Sequence, residues 1–164
     1  MTPKHAAQPD VTVAAIVFDN GRFLCVEERI RQQLVTNQPA GHVEDRETLL
    51  EAVTRETLEE TAWRFHPEAL VGTYLWRNPR TGGSTLRFAF CGTVSDHDAA
   101  RRLDRPVERA TWFTRDELIS RSGKLRSPMV LRCIDDYLAG LRLPLDSVAY
   151  LDLQTAPQIR AVNL

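Results

Sequence analysis

Glu56, Glu59 and Glu60 lie in the stretch "AGHVEDRETLLEAVTRETLEETAW", residues 40–63, and are the side chains here best suited to chemistry. At about 100° per residue, with Glu56 as origin, Glu60 falls near 40° and Glu59 near 300°, beside Leu49, Ala52 and Val53 at about 20°, 320° and 60°. The carboxylates therefore extend the face that an amphipathic helix buries with leucines. Like charges at this spacing cost a few tenths of a kcal/mol per pair when exposed and more when buried, roughly. A hard divalent cation offers compensation, since Mg²⁺ takes one or two carboxylates, waters and substrate phosphate oxygens. Solvent offers another, as an acidic face on which Glu51 and Arg55, four apart, make a surface pair. The helix alone leaves both open.

The residues ahead of the helix extend the pattern. Gly41, five residues, Glu47, seven residues, then Arg55-Glu56-Thr57-Leu58-Glu59-Glu60 resembles the Nudix box G-x5-E-x7-R-E-U-x-E-E-x-G-U, where U is bulky and apolar. The first glycine and every charged position agree. Thr57 stands where an apolar residue is expected, Ala62 at the second glycine and Trp63 at the aliphatic position. That glycine ends the helix left-handed, a conformation alanine adopts with strain. The resemblance implies that Glu56, Glu59 and Glu60 hold Mg²⁺, or Mn²⁺ in its place, with the carbonyl of Ala40. It also implies that Glu47 and Arg55 brace the loop against the helix.

"VTVAAIVF", "NQPAGHVE", "LRF" and "LRSP", in order across residues 11–153, resemble the bacterial NudJ-type phosphatase subgroup of Nudix hydrolases. That resemblance implies water attack on phosphorus in nucleoside di- and triphosphates or hydroxymethylpyrimidine pyrophosphate. Glu108 is the candidate general base outside the box; the alternative is a solvated loop glutamate. Arg87 alternates with Leu86 and Phe88, leaves a strand on the opposite face, and reaches phosphates or pairs with a surface acid. Arg126 and Ser127 put a cation and free N–H groups at a helix start, an anion site, although capping alone accounts for Ser127. Trp76 with Arg77 is placed to stack on a ring or to join the core. Asn37 and Gln38 are placed to read ring edges. His42 takes a phosphate or surface role, because Mg²⁺ prefers oxygen.

The elements that hold these residues show in pattern and punctuation. Residues 11–18 and "RFLCVEE" flank Asn20-Gly21, a hairpin signal. "LVTNQPAGH" is extended into a turn at Pro39-Ala40-Gly41. Thr48 and Glu51 have capping-box spacing for a helix to about Thr61. "LVGTYLWRN" and "TLRFAFCGTV" flank the loop "PRTGGS", and "RATWFT" is another strand. Thr114 and Glu117 cap a brief helix; Ser127-Pro128 opens a last one, with Val130, Leu131, Ile134, Leu138 and Leu141 facing the core. This order predicts an α+β protein, a mixed β-sheet between helices, rather than a doubly wound fold. With the resemblance, that is the α/β/α sandwich of the Nudix fold.

Composition bounds the rest. The 164 residues fit one domain, assigned to residues 10–154 between a leader at 1–9 and a tail at 155–164. Lys plus Arg total 21 against 22 Asp plus Glu, net charge −1, so no global field draws nucleic acid or an anionic membrane. No apolar run approaches the ~18 residues of a membrane span. Cys25, Cys91 and Cys133, odd in number and far apart, suit reduced core thiols. The first ten residues have no apolar segment of signal-peptide kind, and a cytoplasmic address is expected. The expected partner is a small phosphorylated molecule, and the chain is a monomer or a homodimer. Two rivals stand beside the main expectation: hydrolysis of another diphosphate, such as ADP-ribose or a dinucleoside polyphosphate, and a Nudix-like domain that binds without turnover. The intact box favours an enzyme over the second.

Overall fold

In the computed structural model, which describes residues 8–151, β1 (Asp10–Asp19) and β2 (Arg22–Ile30) form a hairpin through Asn20 and Gly21, at φ 47° and 79°. Both residues tolerate the left-handed region that this tight turn requires. β1 is apolar from Val13 to Phe18 because both its faces are covered there: Val13, Ala15 and Val17 enter one core, and Ile16 enters the other. β3 (Gln33–Asn37) and β4 (Ala40–His42) follow, then α1 (Leu49–Thr61), β5 (Arg64–Arg77), β6 (Ser84–Ser95), β7 (Val107–Phe113), α2 (Arg115–Ser120) and α3 (Met129–Leu138).

The sheet runs β3-β2-β1-β6-β5, with β4 beside β1 and β7 beside β2. β1 and β6 are parallel and the remaining pairs antiparallel, so the sheet is mixed, as the order of elements predicts. On one side α1 brings Ala52 and Val53 onto Val13, Phe65 and Phe90. On the other, α2 and α3 bring Leu118, Met129, Cys133 and Ile134 onto Ile16, Phe23 and Ala89. Helices therefore cover both faces.

The sheet forks. β1 and β2 pair only next to their turn, at Phe18↔Phe23 and Asp19↔Arg22. Beyond that β2 joins β3 and β7, while β1 takes β4 and β6 as neighbours. Two arms diverge, and a polar cleft of about 600 Å³ opens between them, a size that suits small-ligand sites.

Several local expectations are revised. Pro39–Gly41 is not a free turn: Ala40–His42 is a strand on β1, and the Pro39 carbonyl accepts from Ala15 N–H at 2.9 Å. α3 starts at Met129 with Pro128 at its cap, so Ser127 stands outside the helix and its side chain makes no cap bond. Its buried stripe is Met129, Val130, Cys133 and Ile134; Leu138 and Leu141 are about half exposed, at 47% and 48%, because the helix ends before a further turn can lie on the sheet. Cys25, Cys91 and Cys133 are buried and unpaired. No helix among the described residues is long and apolar enough to cross a membrane. The tail at 155–164 and most of the leader lie outside the described residues.

Candidate active site

α1 is fixed at both ends. Thr48 Oγ1 accepts from Glu51 N–H at 3.2 Å, and the Glu51 carboxylate accepts from Thr48 N–H at 2.8 Å, a closed capping box. At the other end Ala62 adopts φ 61° and ψ 12°, a left-handed exit without the glycine. Thr57 is buried where the box expects an apolar side chain, and its hydroxyl donates to the Val53 carbonyl at 2.7 Å. The polar substitution is thus satisfied within the helix.

Arg55 organises the outer face of the box. It donates through Nε and Nη2 to the two oxygens of Glu47, at 2.7 and 2.9 Å, and through Nη2 to the His42 carbonyl at 3.0 Å. This bidentate pair joins the loop at 42–47 to the helix. The guanidinium holds the Glu47 carboxyl below its ordinary range. Nη1 also reaches Glu56 at 2.8 Å and Glu59 at 3.1 Å, so one cation offsets three carboxylates. Glu56 is nevertheless pushed up, chiefly by burial.

Glu56 and Glu60 line the cleft with Ala40 and Gly41. Glu60 is buried and accepts from Ala40 N–H at 2.9 Å; burial pushes its carboxyl up to about 9, with Glu28 and Glu56 adding to the rise and the Ala40 bond opposing it. The register explains this bond. Ala40 sits opposite Ala14 between the pairs that bond across to β1, so its N–H and C=O point away from β1. Gly41 leaves the space that Glu56 occupies: a Cβ there would meet the Glu56 carboxyl carbon at 2.1 Å. Among the described residues no three His, Cys, Asp or Glu side chains converge as a ligand set, since Arg55 engages Glu59 and Ala40 engages Glu60. The donors on this wall are all oxygens, two carboxylates and a backbone carbonyl beside a bare glycine, and they fit a hard divalent cation.

The rest of the cleft lining is cationic and polar. Thr12 and Arg87 are register partners on β1 and β6, and Ser127 precedes α3; all three are buried and line the cleft. Thr12 Oγ1, Arg87 Nε and Ser127 Oγ lack hydrogen-bond partners, and they are the buried side-chain atoms of the described residues that do. Native interiors seldom leave such groups unpaired, so three around one cleft mark a ligand site. Burial pushes the Arg87 guanidinium down from its ordinary value. Arg126, half exposed, and Trp76, half buried, complete the wall.

Of the residues singled out from sequence, the cleft brings together Ala40, Glu56, Glu60, Arg87, Arg126, Ser127 and Trp76. Glu47 and Arg55 brace the outer face of the box, outside the lining, and three more stand elsewhere. Glu108 on β7 is exposed, is held by Arg29 of β2 through both carboxylate oxygens, and is not part of the cleft lining. Gln38 is buried beneath the wall, with Nε2 donating to Val130 carbonyl at 2.8 Å and Oε1 accepting from Arg87 at 3.2 Å; no edge is left for a ring. Glu59 turns toward Arg55, away from the cleft lining.

Glu28, missed from sequence, is buried on the opposite arm and lines the same cleft. The signal was two consecutive acids, Glu27 and Glu28, inside "RFLCVEERI". A strand turns them to opposite faces, so one of them had to enter each side. Glu27 is held by Arg109 and Arg121, while Glu28 enters the cleft.

With this geometry in view, comparison with known proteins gives a consistent result. The NUDIX domain family matches residues 8–132. Phosphatase NudJ of Escherichia coli strain K12 is 37% identical over 141 residues, covering 86% of this chain and 91% of that protein. Phosphatase NudJ of Shigella flexneri shows the same values. A NUDIX hydrolase from Nitrosomonas europaea superposes with a TM-score of 0.86 at 44% identity, over 88% of this chain and 98% of that one. A MutT NUDIX hydrolase from Burkholderia pseudomallei, at 20% identity and TM-score 0.66 over 79% of this chain and 98% of that one, shares the fold.

Proposed function

The chain belongs to the NUDIX family as a hydrolase of phosphorus-containing acid anhydrides, and from that premise we propose an Mg²⁺-dependent phosphatase acting on nucleoside di- or triphosphates or on a small phosphorylated pyrimidine such as hydroxymethylpyrimidine pyrophosphate. One observation carries this reading: a single cleft gathers the carboxylates of Glu56 and Glu60 with Arg87, Arg126 and Ser127. Carboxylates recruit a divalent cation, and the buried guanidinium of Arg87 takes remaining negative charge of the substrate. The phosphatase name of the relatives points the same way.

Glu56, Glu60 and the carbonyl of Ala40 would hold Mg²⁺, with Mn²⁺ able to replace it, and Glu59 would join on release from Arg55. When bound, the cation supplies charge neutralisation at phosphate oxygens and acidifies bound water. Arg55 and Glu47 keep the loop and α1 in register. Arg87, with the hydroxyls of Thr12 and Ser127, orients phosphate oxygens, and Trp76 offers a face for the organic part. The acceptor of the water proton is drawn from the carboxylates lining the cleft rather than from Glu108.

The test is to incubate the purified chain with Mg²⁺ and a panel of nucleoside di- and triphosphates, hydroxymethylpyrimidine pyrophosphate, ADP-ribose and a dinucleoside polyphosphate, measuring phosphate and pyrophosphate separately. Orthophosphate release from the first two groups is the expected result. Turnover confined to ADP-ribose or the dinucleoside compound would reassign the substrate class, and retained ligand binding without any turnover would point to a binding module.

A further inference from the structure

Resting on that hydrolase reading, we infer that Glu28, with Arg126 beside it, recognises the organic half of the substrate and selects rings that carry an exocyclic amino group next to a ring nitrogen over their oxo counterparts. The argument starts from Arg87, which can only donate. Its Nη1 reaches Gln38 Oε1 at 3.2 Å and its Nη2 reaches Asn37 Oδ1 at 3.5 Å. Both amides must turn their oxygens toward the guanidinium, and their NH₂ groups then need acceptors on the far side. Gln38 finds the Val130 carbonyl at 2.8 Å, and Asn37 finds Glu28 Oε1 at 3.1 Å. Every donor in this chain has one orientation, and the chain ends by fixing Glu28 as an acceptor.

The second oxygen of Glu28 is left for the cleft. Among the described residues no hydrogen bond reaches Oε2; the nearest cation, Arg126 Nε, stands at 3.9 Å, beyond hydrogen-bond range. Glu28 is buried except where it lines the cleft, so Oε2 accepts from what enters there. The wall thus presents a fixed acceptor beside a donor, with the ring of Trp76 in the same cleft. A carboxylate repels phosphate, which places the phosphates on the opposite arm, by Glu56, Glu60 and their cation, and leaves Glu28 to the uncharged end. An amino group donates to Oε2 while the adjacent ring nitrogen accepts from Arg126. An oxo group instead faces the carboxylate acceptor to acceptor, the mismatch on which sites built around buried polar groups discriminate most strongly.

The experiment compares kcat/KM for CDP against UDP and for ADP against IDP, by phosphate release with Mg²⁺, in the wild type and in Glu28→Gln. The wild type is expected to favour the amino member of each pair by at least about tenfold. Glu28→Gln, checked for folding by circular dichroism, is expected to bring both ratios toward one, because the new amide can donate to an oxo group. Wild-type ratios near one, with turnover intact, overturn this inference and leave the hydrolase reading standing. So does a variant that slows both members of each pair equally, since that is a general structural effect. Should Glu28→Gln fail to fold, the wild-type ratios decide alone. No phosphate from any of the four would remove the substrate reading, and this inference with it.

Discussion

Glu60 carries opposite demands at the residue scale. Its carboxyl is buried and pushed up to about 9 from an ordinary value of 4.5, so in metal-free protein the protonated form favours the fold. The stability it contributes is complete below its unfolded value and is lost as pH rises through the folded one. Chemical denaturation in EDTA is therefore expected to show stability falling between about pH 5 and 9, and Glu60→Gln is expected to flatten that slope and be the more stable protein at pH 8. The same variant should lose most turnover, because it removes a carboxylate from the cleft; near-normal rates would count against a metal role for Glu60. Gly41 gives a second residue-level expectation. A Cβ there would sit 2.1 Å from the end of the Glu56 side chain, which can swing aside at little cost to the fold. Gly41→Ala should change the melting temperature by only a few degrees while lowering kcat about a hundredfold or more, the range lost when catalytic groups are misplaced by an ångström.

Elements reveal what was legible and what was not. The α1 cap, the Asn20-Gly21 turn and the Thr114–Glu117 cap were readable because each is set by neighbours within four residues. Thr48→Ala should cost about 1 kcal/mol in urea unfolding, the usual worth of a cap, with turnover changed far less than by Gly41→Ala. A loss much above 2 kcal/mol would mean that Thr48 supports more than the helix end. β4 escaped sequence reading because a three-residue strand has no periodicity of its own and exists through its register on β1. The same register decides that Ala40 turns its N–H to Glu60. Ser127 looked like a cap by type, yet α3 begins two residues later, and the unpaired hydroxyl becomes part of the cleft wall.

For the whole molecule, the cleft comes from the divergence of two arms of one sheet, so cation and substrate should stabilise both arms together. Adding Mg²⁺ with a slowly hydrolysed nucleotide analogue should raise the melting temperature in a concentration-dependent way, and EDTA should abolish turnover until Mg²⁺ is restored. No thermal shift at saturating Mg²⁺ and analogue would separate this cleft from the activity. The sequence by itself determined the helix that gathers Glu56, Glu59 and Glu60, the glycine before it and the mixed sheet behind it, because spacing, capping and alternation act over a few residues. It also showed that two acids interrupt β2. Only the tertiary structure decided that Glu28 shares a cleft with Glu60, that Glu108 is taken by Arg29, and that Gln38 serves Arg87. Those contacts join residues dozens of positions apart, across a fork whose opening depends on which strands pair, and pairing is a property of the assembled sheet rather than of any one segment.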